Sequence, residues 1–292
     1  MKFFLIFFYV NALHLAAERS NNEIIDFLLS LPDVKIGKEC FLECKKLKQI
    51  SIPSNITAIE ENAFDGCSAL EQIKIPSSVT SIGDHAFNGC SSLIEISIPS
   101  SVTVIEENTF NRCTSLRQIL IPSSVTSIEE SAFSDCSSLT EIKIPPSVTK
   151  IGNCVFDGCS SLKQITIPSS VSSIGDYVFK ECTSLTQVLF ENPSQITKIG
   201  ENTFFRCSSL RNISIPPSVT SIGDLAFFGC TSLSQIKIPP SVTMFGKDVF
   251  YGCSSVTQIT FQSLIITGNH LNITSIVSPE PSINTKNVIT EQ

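Results

Sequence analysis

Cysteine returns along this chain at a fixed interval, and the interval decides what the chain can fold into. It stands at Cys44, Cys67, Cys90, Cys113, Cys136, Cys159 and Cys182, each 23 residues after the last, and then at Cys207, Cys230 and Cys253. The step of 25 between Cys182 and Cys207 marks two inserted residues. Phenylalanine precedes every one of these cysteines by three positions, from Phe41 to Phe250, and leucine follows by three, from Leu47 to Leu233, with Val256 in the last copy. Self-similarity at such a period means stacked supersecondary units rather than one conventional core.

The copy from Cys90 to Cys113 shows how a unit works. Leu93, Ile96 and Ile98 are spaced as a chain that turns inward and then runs as a strand, so that Ile96 and Ile98 share one buried face. Pro99 lacks the N–H that a ladder needs and ends the strand, as do Pro53, Pro76, Pro122, Pro145, Pro168, Pro216 and Pro239. After a Ser-Ser turn Val102 and Ile105 point inward from a second extended stretch, and Phe110 and Cys113 fill the interior from a tight, 3₁₀-like corner. Glycine recurs after the second isoleucine, at Gly83, Gly152, Gly175, Gly200, Gly223 and Gly246. Glu60, Glu106 and Glu129 occupy the same column, which excludes a strict need for positive φ there. One such unit buries too little to order itself, so the units must stack into a solenoid.

Composition agrees with many short, half-buried strands: 16% of residues are charged, tryptophan is absent, and β-branched residues and serine are abundant. The formal charge of −7 comes from scattered carboxylates, and no Lys/Arg cluster offers a phosphate-binding footprint, so nucleic acid is not an expected partner.

Residues 1–20 begin with Lys2, continue through the apolar run Phe3–Val10 and reach Ala12, Ala16 and Ala17, the pattern of a secretory signal peptide. The alternative is a hydrophobic element packed on the first repeat. The run is far shorter than a bilayer span, and no C-terminal span exists. Residues 21–40 read as an N-terminal cap and partial repeat. Asn21 or Asn22 would cap a short amphipathic helix whose Ile24, Ile25, Phe27, Leu28 and Leu31 cover the open end of the stack. Residues 41–262 form about ten repeat units, residues 263–277 a partial terminal coil that closes the stack, and residues 278–292 a polar, Pro-containing tail expected to be disordered.

The pattern Leu-x-x-Ile-x-Ile-Pro-x-x-Val-x-x-Ile-Gly-x-x-Ala-Phe-x-x-Cys resembles the 23-residue BspA-like, or Treponema-type, leucine-rich repeat across about residues 31–262. The commoner leucine-rich repeat has an asparagine ladder where these copies carry Ser or Pro. The resemblance implies a β-rich solenoid: a right-handed arc with a parallel concave sheet and an irregular, 3₁₀ or extended convex side. It also implies a non-enzymatic surface-associated or secreted protein of bacteria or parasitic protists that binds host proteins or other cells. The alternative is an intracellular repeat scaffold with an uncleaved N-terminus.

No catalytic, cofactor or metal site emerges from the residues. The ten periodic cysteines lie in one inward column and read as buried free thiols, although stacked neighbours would come within disulfide range. No Cys-x-x-Cys pair or nearby histidine completes a zinc set. Cys40 and Cys154 lie off the column, Cys154 being the better candidate for modification. His14, His85 and His270 are far apart, and the serines lack a convergent His and Asp.

The candidate binding surface flanks the first strand. Gln49, Gln72, Glu95, Gln118, Glu141, Gln164, Gln187, Asn212, Gln235 and Gln258 form one column. These amides suit either hydrogen bonding along the sheet or adaptable contacts to a partner protein. Beside them Ser51, Lys74, Ser97, Leu120, Lys143, Thr166, Leu189, Ser214, Lys237 and Thr260 vary over a fixed frame, as a recognition surface requires. Gln72, Lys74, Glu95, Gln118, Leu120, Glu141, Lys143, Gln164, Gln187, Leu189, Gln235 and Lys237 are the candidate contacts. The insertion Glu191–Gln195 reads as a surface bulge or a contact loop. Asn55, Asn212 and Asn272 head glycosylation sequons, which matter only in a secretory pathway. A glycan on Asn212 would obstruct the concave face.

Overall fold

The computed structural model describes residues 11–31, 34–261 and 264–267. The repeats stack as a parallel-strand β-solenoid of about nine turns. Corresponding strands pair in parallel at the sequence period, Gln49 with Gln72, Glu95 with Gln118, Gln164 with Gln187 and Gln235 with Gln258. The second extended stretch of each unit forms its own ladder, running from Val104–Ile105 through Ser127–Ile128 and Lys150–Ile151 to Ser173–Ile174.

Three backbone devices turn the chain. The proline carbonyl accepts from the amide three residues on, Val102 N to Pro99 O at 3.0 Å, in all eight Pro-containing turns. At the corner alternate amides reach the next rung, Asn62 to Asp84, Phe64 to Ala86 and Gly66 to Asn88, while the intervening ones close i to i−3 turns. Two columns at that corner are left-handed. One holds Asn62, His85, Asn108, Ser131, Cys154 and Tyr177, and the other Gly66, Gly89, Arg112, Asp135 and Gly158. The glycines after the second isoleucine are not left-handed. A Cβ on Gly152 would lie 2.7 Å from the backbone nitrogen of Glu130, so these glycines serve close approach between rungs.

The interior consists of side-chain columns. The Phe41-to-Phe250 rings stack nearly parallel, with centroids between 4.9 and 5.9 Å apart. The cysteine column beside them does more than fill space. From Cys67 onward each thiol of the column donates to the phenylalanine carbonyl of the preceding rung, Cys90 to Phe64 O at 3.2 Å and Cys182 to Phe156 O at 3.0 Å. All twelve cysteines are free. Burial pushes the Cys113 thiol up to about 12, and Cys90, Cys136 and Cys182 are raised for the same reason. Thiolate, not thiol, is the nucleophile. A maleimide at neutral pH is therefore expected to modify the native protein only at half-buried Cys154, slowly because burial and then Asp157 raise its thiol too, and to modify all twelve after unfolding. Rapid native labelling at several column cysteines would contradict this packing.

Serine and threonine also bind rung to rung. Ser78, Ser124 and Ser147 donate to Ile56 O, Val102 O and Val125 O at 2.6–2.7 Å, and Thr126 and Thr149 donate to Thr103 O and Thr126 O at 3.3 Å.

The N-terminal end is closed by two helices. In the first, covering residues 11–18, Leu13, Ala16 and Ala17 are buried, and His14 Nδ1 lies 3.7 Å from Cys44 Sγ. The second, Asn22–Ser30, is capped by Asn21, which accepts from Ile24 N at 3.1 Å. It buries Ile25 and Leu29, with Leu28 and Leu31 packed at the margin of the core. Ile24 and Phe27, expected to cover the stack, are instead exposed, because Ile25 and Leu29, four residues apart, set the buried stripe.

At the other end Leu264–Thr267 pairs antiparallel with Gln258–Phe261, rather than beginning another parallel coil. Two intervening residues cannot make a parallel crossover, which needs a dozen or more. The apolar run before residue 11, residues 268–277 and the 278–292 tail lie outside the described residues, as does Asn272. Among the described residues no helix is long and apolar enough to cross a membrane.

Candidate concave binding groove

Strand alternation puts Ile50, Ile73, Ile96, Ile119, Ile142 and Ile165 inside and turns the residues on either side of each outward. The outward residues of seven successive rungs line an open groove of about 1280 Å³. Gln72, Lys74, Glu95, Gln118, Leu120, Glu141, Lys143, Gln164 and Leu189 all line it. Gln187, Gln235 and Lys237 do not, although they hold the same repeat positions. The groove is bounded. Asn22, Ile25 and Asp26 of the second helix stand at one end, and Pro168 and Glu191 at the other.

The far wall explains the insertion. Glu191 accepts from Ser169 N at 3.2 Å and Gln195 Nε2 donates to Ser169 O at 3.1 Å, so the inserted segment folds back on the preceding turn. The Asn192–Pro193 bond within it is cis. Beyond it the next concave rung makes only an isolated bridge, Ser214 to Lys237. Sequence spacing shows the insertion but not that it ends the groove.

The amide column does not hydrogen-bond along itself. None of the described glutamines in it makes a side-chain hydrogen bond, and Glu95, Glu141, Lys74 and Lys143 make no ion pair. Their side chains present free donors, acceptors and charges to solvent. Leu120 stands 74% exposed among them, with Ser97 and Lys143 directly beside it on the adjacent rungs and Glu95 and Glu141 diagonal to it, and Leu189 is 47% exposed.

The sequon asparagines differ. Asn55 Nδ2, the atom a glycan would occupy, donates to Leu29 O at 3.1 Å and ties the second helix to the first full rung. Asn212 is exposed and lies outside the groove.

The flank beside the second strand carries an acidic column, with partners for some of its members: Lys38 at 3.0 Å from Glu61, Lys198 at 2.9 Å from Asp176, and Tyr177 Oη donating to Glu201 at 2.9 Å. Burial, then Asp84 and Glu129, raises the carboxyl of Glu106 above the usual glutamate range. The folded state binds this proton more readily than the unfolded chain, so the penalty is present at neutral pH and vanishes as pH falls below the ordinary glutamate value. Glu106→Gln is expected to raise Tm by about 1 °C at pH 7 and by much less at pH 4, read by thermal circular dichroism.

On the outer side of the corner Phe205, Phe228 and Tyr251 stack at 4.8 and 5.3 Å, with the Arg206 guanidinium 5.1 Å from the Phe205 ring. Among the described residues no group of three or more His, Cys, Asp or Glu is placed to hold a metal ion.

Parallel rungs repeating at a fixed period, with a solvent-facing strand surface that carries unpaired polar groups around exposed leucines, define a leucine-rich repeat solenoid. The chain belongs to the family described as the BspA type leucine rich repeat region, whose model matches six copies over residues 34–163 and 149–274. It is similar in structure to the pneumococcal vaccine antigen PcpA, with 25% identity and a TM-score of 0.53, covering 73% of this chain and 62% of PcpA. A leucine rich cell surface protein from Faecalibacterium prausnitzii is 28% identical over 78% of this chain and 83% of its own, with a TM-score of 0.41. The leucine rich repeat protein of T. pallidum is 26% identical over 72% of this chain and 78% of its own, with a TM-score of 0.44. No curated protein is similar enough to count as a relative.

Proposed function

We propose that this is a non-enzymatic, surface-associated or secreted repeat protein that binds a protein or another host or cell-surface component through its concave groove. The observation that carries the reading is Leu120, a large aliphatic side chain 74% exposed at the centre of a groove whose flanking carboxylates and amides have no partner within the chain. Exposed apolar anchors ringed by polar groups mark interaction sites. The surface assignment is supported by the apolar start of the chain and by the likeness to a vaccine antigen. The test is recovery of partners from intact host or neighbouring cells and, separately, from soluble extract, with the full chain and with Leu120→Asp and Leu189→Asp. Recovery from cell surfaces that falls in both variants supports the reading; unchanged recovery contradicts concave binding, and partners found only in soluble extract contradict the surface role.

A further inference from the structure

Leu120 and Leu189 lie in one column of the groove, three rungs apart, with Lys143 and Thr166 between them. At ~4.8 Å per rung the two leucines stand about 14 Å apart. An extended polypeptide rises ~3.4 Å per residue, so this distance is about four residues, and residues four apart in an extended segment project to the same side. A helix laid along the same line needs about nine residues at ~1.5 Å each, which is two and a half turns and turns the second side chain away. The spacing therefore selects an extended occupant over a helical one.

The charges choose its sign. Four carboxylates line the groove, Asp26 and Glu191 at its ends and Glu95 and Glu141 diagonal to Leu120, against two lysines, Lys74 and Lys143, the second directly beside Leu120. Among the described residues Asp26, Glu95 and Glu141 accept no ion pair or side-chain hydrogen bond, so their charge remains available to a partner. Residues two before and two after the first apolar side chain of the occupant face the same way as it does. The one before would reach the rung of Glu95, and the one after the rung that carries both Glu141 and Lys143.

Resting on the concave reading above, we infer that the groove takes an extended, net basic polypeptide segment with two apolar side chains four residues apart, one on Leu120 and one on Leu189, and a lysine or arginine two residues before the first. The test is selection of randomised dodecapeptides on the full chain, followed by fluorescence anisotropy of the enriched sequences against the full chain, Leu120→Asp and Leu189→Asp. Enriched peptides are expected to be basic with apolar residues at a spacing of four. Moving the second apolar residue by one position is expected to weaken binding about tenfold, a difference of about 1.4 kcal/mol. Enrichment of acidic peptides, of another spacing, or of nothing would overturn the inference. If cellular partners are still lost from both leucine variants in that case, the concave reading stands without it; if partners are retained, the concave reading itself falls.

Discussion

Phe133→Ala is expected to destabilise the solenoid by about 3–5 kcal/mol, the usual loss for a buried phenylalanine. Phe133 is fully buried, and its ring stacks on Phe110 at 5.5 Å and on Phe156 at 5.9 Å. Its removal leaves a void across which two rings lose a face each, and the Phe133 backbone remains bound to the Cys159 thiol and to Val155. In a solenoid each rung touches only its neighbours, so a central lesion weakens one interface rather than the whole molecule. The variant should unfold in urea in two steps, the stacks on either side of the lesion melting separately, where the parent unfolds more cooperatively. Circular dichroism read against urea checks this. A single transition at the parent midpoint would show that the phenylalanine column does not hold the rungs together.

Leu120→Asp is expected to have the opposite profile, leaving the fold intact and removing binding. At 74% exposed the side chain contributes little to the core, and its strand is held by the buried Ile119 and by pairing with Glu95–Ser97. Anchors at the centre of an interface cost at least ~2 kcal/mol when removed, about 30-fold in affinity. An aspartate beside Lys143 replaces the apolar anchor with a charge that has a partner within the chain. Tm within about 2 °C of the parent, with partner affinity down about 30-fold or more, is the expected pair of readings.

The sequence makes the interior legible and the groove only partly so, for a physical reason. Interior columns recur because every rung meets the same neighbours, so Phe110, Cys113 and Leu116 repeat at a fixed spacing and end buried. The thiol-to-carbonyl ladder and the serine hydroxyl ladder repeat just as strictly. Their donors are visible in the sequence, whereas their acceptors are backbone atoms of another rung and appear only in three dimensions. The left-handed corner was recoverable in part. Glycine at Gly66, Gly89, Gly158, Gly229 and Gly252 and asparagine at Asn62, Asn108 and Asn202 mark the positive-φ columns, while the more eye-catching glycine column serves rung contact instead. The groove's limits depend on which rungs the N-terminal helix and the inserted segment reach. Gln235 and Lys237 carry the repeat's signature but lie on a rung beyond the inserted segment, whereas Gln187 shares its strand with Leu189 and does not line the groove.

The most direct measurement is partner recovery from intact cells by the parent, by Leu120→Asp, and by Tyr251→Asp on the outer side of the corner, at equal amounts of folded protein. Tyr251 is exposed and stacked on Phe228, away from the groove, so it reports binding through the other face. The concave account predicts recovery lost with Leu120→Asp and retained with Tyr251→Asp. Retention with Leu120→Asp and loss with Tyr251→Asp would contradict it.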